Sequence, residues 1–361
     1  MNILVVRLRL IGDVVLTTPL LAGLKRRYPH ARLTYVVEPA AAPIVSGNPH
    51  LNSLVIAPKR RGLARVRDDV RVARRLRREH FDVAIDLHGG PRAAWLTWAS
   101  GAPMRIGYAI KGRSWMYTHV VPRPRDDAPR PAIVNQWDLL GPLDVAPPDP
   151  ARDPLEMTED ANASASIEDR LREARITAAH PLVVIHVSAG NPFRRWPRDS
   201  FVALVVALAR RDPSRRIILT SGPSDADAAR AIAAGAREAL GPLGPAVPDI
   251  GEFGLAELRA LAGRAAVYIG GDSGPLHIAG TTATPIVAVF GPTLAERSMP
   301  WRHPRWFAEA VDAGPLECRP CRQRVCAPGD FRCLTRISAE QVAAAAERAL
   351  MGSEVIFRGQ R

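Results

Sequence analysis

An apolar run, Ala265 to Ile269, stops at Gly270-Gly271-Asp272-Ser273-Gly274-Pro275-Leu276-His277-Ile278-Ala279-Gly280, and a second apolar run, Pro285 to Phe290, follows. Short apolar runs bounded by turn residues are the mark of strands buried on both faces, as in a parallel sheet. The glycine-rich stretch therefore sits at the carboxyl end of a strand, where open α/β sheets bind ligands. Its two leading glycines let the backbone turn sharply and approach a ligand closely. Ser273, Gly274 and Pro275 open a helix whose amides suit a phosphate, while Asp272 suits sugar hydroxyls better than an anion. Together these residues, with His277, read as a nucleotide-sugar site. The same spacing also fits a plainer role, with Asp272 and Ser273 capping the helix and His277 packed. A serine hydrolase is disfavoured, because Pro275 stands where G-x-S-x-G needs its second glycine.

Strands and helices alternate on both sides of this stretch, which predicts two α/β units with parallel sheets. Residues 3–8 form the first strand, Leu10-Ile11-Gly12-Asp13 the loop after it, and a helix is expected from Val14 to Tyr28, with Pro19 a possible kink. Asp13 fits a helix cap, and equally a carboxylate facing a ligand cleft and able to take a proton. A helix with Leu63, Val66, Val70, Ala73 and Leu76 on its apolar face carries seven arginines on the other. His88 and Arg92 follow a strand at 81–87, at an edge where an acceptor's phosphate or carboxylate can be met. Residues 122–154 are proline-rich and weakly periodic, as a linker would be, apart from a short helix near Ile133 to Leu140. In the second half, Ser188, Ala189 and Gly190 follow a strand and offer backbone amides to a phosphate, with Arg194 and Arg195 beside them. Thr220 ends the next strand and Gly222 stands in the turn after it. The last helix, 338–351, is expected to dock back on the first domain.

The formal net charge of +13 favours an anionic partner. Only Lys25, Lys59 and Lys111 among the 49 basic residues are lysines, a bias that weakens any argument from a single choice of arginine over lysine. No nucleic-acid-binding motif accompanies the charge, so nucleic acid is not expected and an anionic membrane surface is. The first strand begins at the amino terminus with no signal peptide, and no apolar run is long enough to span a bilayer, which points to a cytosolic chain at a membrane surface. Cys318, Cys321, Cys326 and Cys333 cluster without the usual paired zinc spacing, and read as a packed thiol-rich loop in preference to a metal site.

The segments Arg7 to Pro19, Asp86 to Arg92, Arg105-Ile106-Gly107-Tyr108, Arg194-Arg195-Trp196-Pro197, Gly271 to Ala279 and Val289-Phe290-Gly291-Pro292-Thr293 resemble those of the lipopolysaccharide heptosyltransferases, glycosyltransferase family 9. The resemblance covers nearly the whole chain. It implies a GT-B architecture of two Rossmann-like domains, an acceptor domain over 1–155 and a donor domain over 156–337. It also implies inverting transfer of heptose from ADP-heptose to the lipopolysaccharide inner core, with no metal or cofactor, at the cytoplasmic face of the inner membrane. Asp13 then matches the general base, and Arg7, Arg9, Gly12, His88, Arg92 and Arg105 lie on the acceptor side. Asp272 matches the sugar-contacting acid, and Ser273 and Gly274 the diphosphate cradle. Arg194 stands where family members carry a phosphate-binding lysine. The competing expectation is a nucleotide-sugar- or lipid-binding protein without transferase activity, or a transferase for another sugar.

Overall fold

The computed structural model describes residues 1–124, 129–321 and 323–358. Residues 125–128, within the proline-rich stretch, lie outside the described residues. The first sheet comprises β1 (Asn2–Val6), β2 (Arg32–Val37), β3 (Ser53–Ile56), β4 (Val83–Asp86), β5 (Met104–Tyr108) and β6 (His119–Val121). Its order is β3-β2-β1-β4-β5-β6, with every neighbour parallel. The second comprises β7 (Leu182–His186), β8 (Arg216–Thr220), β9 (Val267–Gly271), β10 (Ile286–Phe290) and β11 (Ala308–Asp312). It runs β11-β10-β9-β7-β8 and is also parallel throughout. The central strands are almost wholly apolar and buried, as expected where helices cover both faces. Strand order reverses once in each sheet, between β1 and β4 and between β7 and β9. Ligands of doubly wound sheets bind at such switch points, so the loops after these four strands are where chemistry belongs.

The chain divides into two compact units, Met1–Thr158 with Trp301–His303, and the remainder from Glu159. From residue 129 the proline-rich stretch belongs to the first unit and is no tether. Helix Ala132–Trp137 and the 3-10 turn Asp138–Leu143 bury Ile133, Trp137, Leu139, Leu140 and Leu143. The Trp137 indole lies so close to Gly23 that a Cβ there would come within 2.6 Å of it. Trp301 closes the same unit: its carbonyl accepts from the Leu155 amide and its indole N–H donates to the Asp153 carbonyl, both at 2.9 Å.

Three expectations change. The helix expected over 14–28 is two, Ile11–Val15 and Thr18–Arg27, with Pro19 in the opening turn of the second. The Thr17 and Thr18 hydroxyls bond back to the Val14 and Val15 carbonyls at the break. The arginine-rich helix, Gly62–Arg78, is rotated from its expected face. Val72, Ala73 and Leu76 are buried, but so are Asp68 and Asp69, and Leu63 and Val66 are exposed. Ion pairs make this tolerable, with Arg60 and Arg71 on Asp68 and Arg65 and Arg92 on Asp69. Finally, helix Ala339–Arg358 packs on the second unit, not the first. Its stripe of Val342, Ala343, Ala345, Ala346 and Ala349 shares a core with Leu204, Leu208, Val287 and Val289. Arg215 fastens it with two bonds to Glu347, at 2.6 and 2.7 Å.

Candidate active site

In the first unit, Asp13 lies just past β1, on the short helix Ile11–Val15, its side chain about a third exposed. Arg7, buried at the end of β1, pairs with its Oδ2 and donates from its other terminal nitrogen to the Leu87 carbonyl after β4. One guanidinium therefore spans the switch point and aims the carboxylate. The loop after β4 is built on Asp86, whose Oδ1 accepts from the His88 and Gly89 amides at 2.8 Å and whose Oδ2 accepts from the Tyr117 hydroxyl at 2.7 Å. Burial raises the Asp86 carboxyl above its ordinary value against the pull of these donors. Tyr117 reaches it only because position 107 is glycine; a Cβ there would lie 2.4 Å from the ring.

His88 is pushed down to about 4, by burial first and then by the charges of Arg7 and Arg9. At neutral pH it is a hydrogen-bonding group and not a cation. Its Nδ1 is buried with no hydrogen-bond partner. Arg9 is exposed, and Gly12 half-buried, in the segment after β1. Arg92 and Arg105, expected to meet the acceptor, are spent on the fold. Arg92 bonds Asp69 at 2.6 and 2.8 Å, Glu38 at 3.0 Å and the Pro58 carbonyl at 2.8 Å. Arg105 sits near the amino end of β5, the wrong edge for a ligand, and donates to the Met116 and Ala102 carbonyls.

In the second unit, His186 ends β7 fully buried, and burial pushes it down to about 4. Its Nδ1 lies 2.9 Å from the Thr220 hydroxyl and its Nε2 3.1 Å from that of Ser188, which accepts from the Gly222 amide at 2.9 Å. A neutral imidazole thus ties together three of the expected donor-side residues, Ser188, Thr220 and Gly222. Ala189 offers its carbonyl to Arg195, which pairs with Asp225, and Gly190 is exposed beside it.

Across the switch point, the buried Asp272 pairs through Oδ2 with Arg194 at 3.0 Å and accepts from the Thr293 hydroxyl at 2.7 Å. It is therefore no helix cap. Ser273 precedes helix Gly274–Ala279, with Pro275 in its first turn, but its side chain makes no capping bond. Its hydroxyl is buried without a partner, and His277 is buried in the same helix. The arrangement holds one carboxylate fixed beside one partly exposed guanidinium, the groups needed to hold a hydroxylated sugar and an anion side by side.

Residues 70–331 match the model of glycosyltransferase family 9 (heptosyltransferase). The chain belongs to glycosyltransferase family 9. This family 9 chain is 28% identical over 357 residues to lipopolysaccharide heptosyltransferase 3 of Escherichia coli, spanning 96% of this chain and 98% of that one. Among solved structures it is similar to a glycosyl transferase family 9 protein of Veillonella parvula, with TM-score 0.84, 25% identity and 97% of each chain covered. It is also similar to E. coli ADP-heptose lps heptosyltransferase II, with TM-score 0.73, 19% identity, and 98% and 100% of the two chains covered. The fold is GT-B and the protein is a glycosyltransferase.

The four cysteines of the family 9 chain are unpaired and half-buried, and line a cavity of about 250 Å³ with Phe193, Pro292 and Phe331. Burial, and then the other three thiols, raise that of Cys333. Among the described residues no group of three or more His, Cys, Asp or Glu is arranged to hold a metal ion. Sequence reasoning passed over His186 and Gln323, and gave Thr293 a place in a resembling segment but no role. His186 carried a usable signal, a histidine closing an apolar strand two residues before Ser188; Gln323 carried none.

Proposed function

We propose that this chain transfers heptose from ADP-heptose to the inner core of lipopolysaccharide, inverting the anomeric carbon and using no metal. The observation that carries this reading is the Arg194–Asp272 pair at the β7/β9 switch point, inside the motif that most resembles the family. The fold shared with the E. coli ADP-heptose enzyme supports the donor. In this reading Asp13 takes the proton of an acceptor hydroxyl as its oxygen attacks the anomeric carbon. The bond from that carbon to the phosphate oxygen breaks, and ADP departs with the electron pair. Attack opposite the leaving group inverts the centre. Arg194 and the amides at Ser273 and Gly274 balance the charge on ADP, Asp272 holds the sugar hydroxyls, and Arg7 aims Asp13.

The acceptor is a lipid, and the arginine-rich helix supports a membrane location. Leu63 is 88% and Val66 58% exposed, beside Arg61, Arg65 and Arg67. A groove of about 730 Å³ along the same helix is lined by Arg67, Arg71, Arg74, Arg75 and Arg78. Exposed apolar side chains ringed by arginine suit an anionic bilayer surface. No helix among the described residues is long and apolar enough to cross a membrane. We place the enzyme in the cytoplasm, peripheral to the cytoplasmic face of the inner membrane. The deciding experiment incubates the protein with ADP-heptose and truncated core acceptors in chelator, following ADP release and the anomeric configuration of the product by NMR. Absence of ADP release, a retained configuration or a strict need for a divalent cation would overturn the reading.

A further inference from the structure

The segment carrying the four cysteines touches the Arg194–Asp272 pair from both sides. Oε1 of Gln323 accepts from Arg194 Nε at 2.6 Å and from Asn191 Nδ2 at 2.9 Å. The Phe331 ring lies 5.4 Å, centroid to centroid, from that of Phe193. Gln323 and Phe331 are also the two described residues of this segment, glycine aside, with left-handed backbone, at φ 55° and 51°. Such conformations cost on the order of 1 kcal/mol and persist where surrounding contacts enforce them. Here both strained residues spend their side chains on the same turn, 191–194. On the other side Arg319, 6% exposed, pairs with Asp312 at 2.8 Å and donates to the Thr293 carbonyl at 2.8 and 3.2 Å. Thr293 in turn donates to Asp272. Both members of the pair are thus tied to one segment, Arg194 through Gln323 and Asp272 through Thr293.

The two attachments to Arg194 differ in kind. Asp272 takes Nη1 and neutralises charge, whereas Gln323 takes Nε without neutralising any. An apolar side chain at 323 would free the guanidinium to turn wholly onto Asp272 and leave the Asn191 amide unpartnered. A carboxylate there would hold the guanidinium but set a second negative charge against an incoming diphosphate. A neutral acceptor holds Arg194 in place without adding to the negative charge that Asp272 already sets beside it.

We propose that Gln323 is a positioning residue for the donor diphosphate, fixing Arg194 through Nε so that Nη2, which neither Asp272 nor Gln323 takes, is turned to the anion. This rests on the donor reading above, and the test separates the two. ADP affinity is measured by calorimetry, and adenosine affinity by ligand-observed NMR, for the wild type, Gln323→Leu and Gln323→Glu, with thermal unfolding of each variant. Gln323→Leu is expected to weaken ADP binding about 3- to 10-fold, the scale of one lost neutral hydrogen bond, and to leave adenosine unchanged. Gln323→Glu is expected to weaken ADP further than Gln323→Leu, because its carboxylate sets a second negative charge beside the diphosphate, and to leave adenosine unchanged. Full ADP affinity in folded Gln323→Leu, or equal losses for ADP and adenosine, would overturn the positioning role while leaving the donor reading intact. A folded wild type that binds no ADP would remove the donor reading and this inference with it.

Discussion

Arg92 and Arg194 both follow a strand's carboxyl end, and the fold uses them in opposite ways. Arg92 is enclosed by Asp69, Glu38 and the Pro58 carbonyl, whereas Arg194 keeps a third of its side chain exposed. Arg92→Ala should therefore lower stability by about 3–5 kcal/mol, because the buried Glu38 loses its ion-pair partner and Asp69 keeps only Arg65; denaturant unfolding reads this directly. Arg194→Ala should weaken ADP by about 1.5–3 kcal/mol in calorimetry and lower stability as well, because the buried Asp272 loses its cationic partner. Asp13→Asn should cut turnover about 10²- to 10⁴-fold in a folded protein, and a smaller loss would exclude the base role. His186 provides a pH signature. Its folded value, about 4, lies below the ordinary 6.5, so between those limits the unfolded chain takes up a proton that the folded chain refuses. His186 alone should thus lower stability by up to about 3 kcal/mol as the pH drops from 6.5 to 4, and His186→Gln should reduce that slope, leaving the part that the similarly lowered His88 contributes. The sequence offered Asp13, Arg194 and Asp272 as candidates because each sits in a loop after an apolar strand. It could not distinguish Arg92 from Arg194, since Arg92's fate is decided by Glu38 and Asp69, 54 and 23 residues away.

At the scale of elements, periodicity located the buried strands and failed at the sheet edges. β6 has three residues, two of them exposed, and β11, Ala-Glu-Ala-Val-Asp, has no apolar run to announce it. The arginine-rich helix misled for a related reason. Its apolar and acidic positions are interleaved, and ion pairing, which no hydrophobic pattern records, turned Asp68 and Asp69 inward. The alanine stripe of helix Ala339–Arg358 showed that one face is buried but not on which sheet, since alanine fits any close surface. That closeness is testable: Ala346 is fully buried among Leu204, Leu208 and Val289. Ala346→Leu should overpack the interface and cost about 1–3 kcal/mol in denaturant unfolding, with ADP binding retained in the folded fraction.

For the whole molecule, two parallel sheets were legible from the βα alternation alone, because buried parallel strands announce themselves. The partition at Thr158 was less so, because prolines that suggested a tether are bends in a packed segment held by Trp137. The net charge of +13 acts at this scale too. Binding to vesicles containing anionic lipid should weaken steeply between 0.05 and 0.5 M salt (about a threefold shortening of the screening length) and be absent with neutral lipid. Changing Leu63 and Val66 to glutamate should reduce it further without altering ADP affinity.

The seam between Trp301 and the Asp153–Leu155 segment has a consequence for biosynthesis. Domains generally fold as units while the chain is still being made, at about 5–20 residues per second. Here the first six strands can assemble early, yet their unit is not sealed until residue 301, which arrives some seven to thirty seconds after residue 155 at those rates. The second unit in turn waits for the stripe ending at Ala349. Both halves should therefore reach their protease-resistant forms late and almost together on the ribosome, and arrested nascent chains cut short of residue 301 should remain cleavable near Asp153.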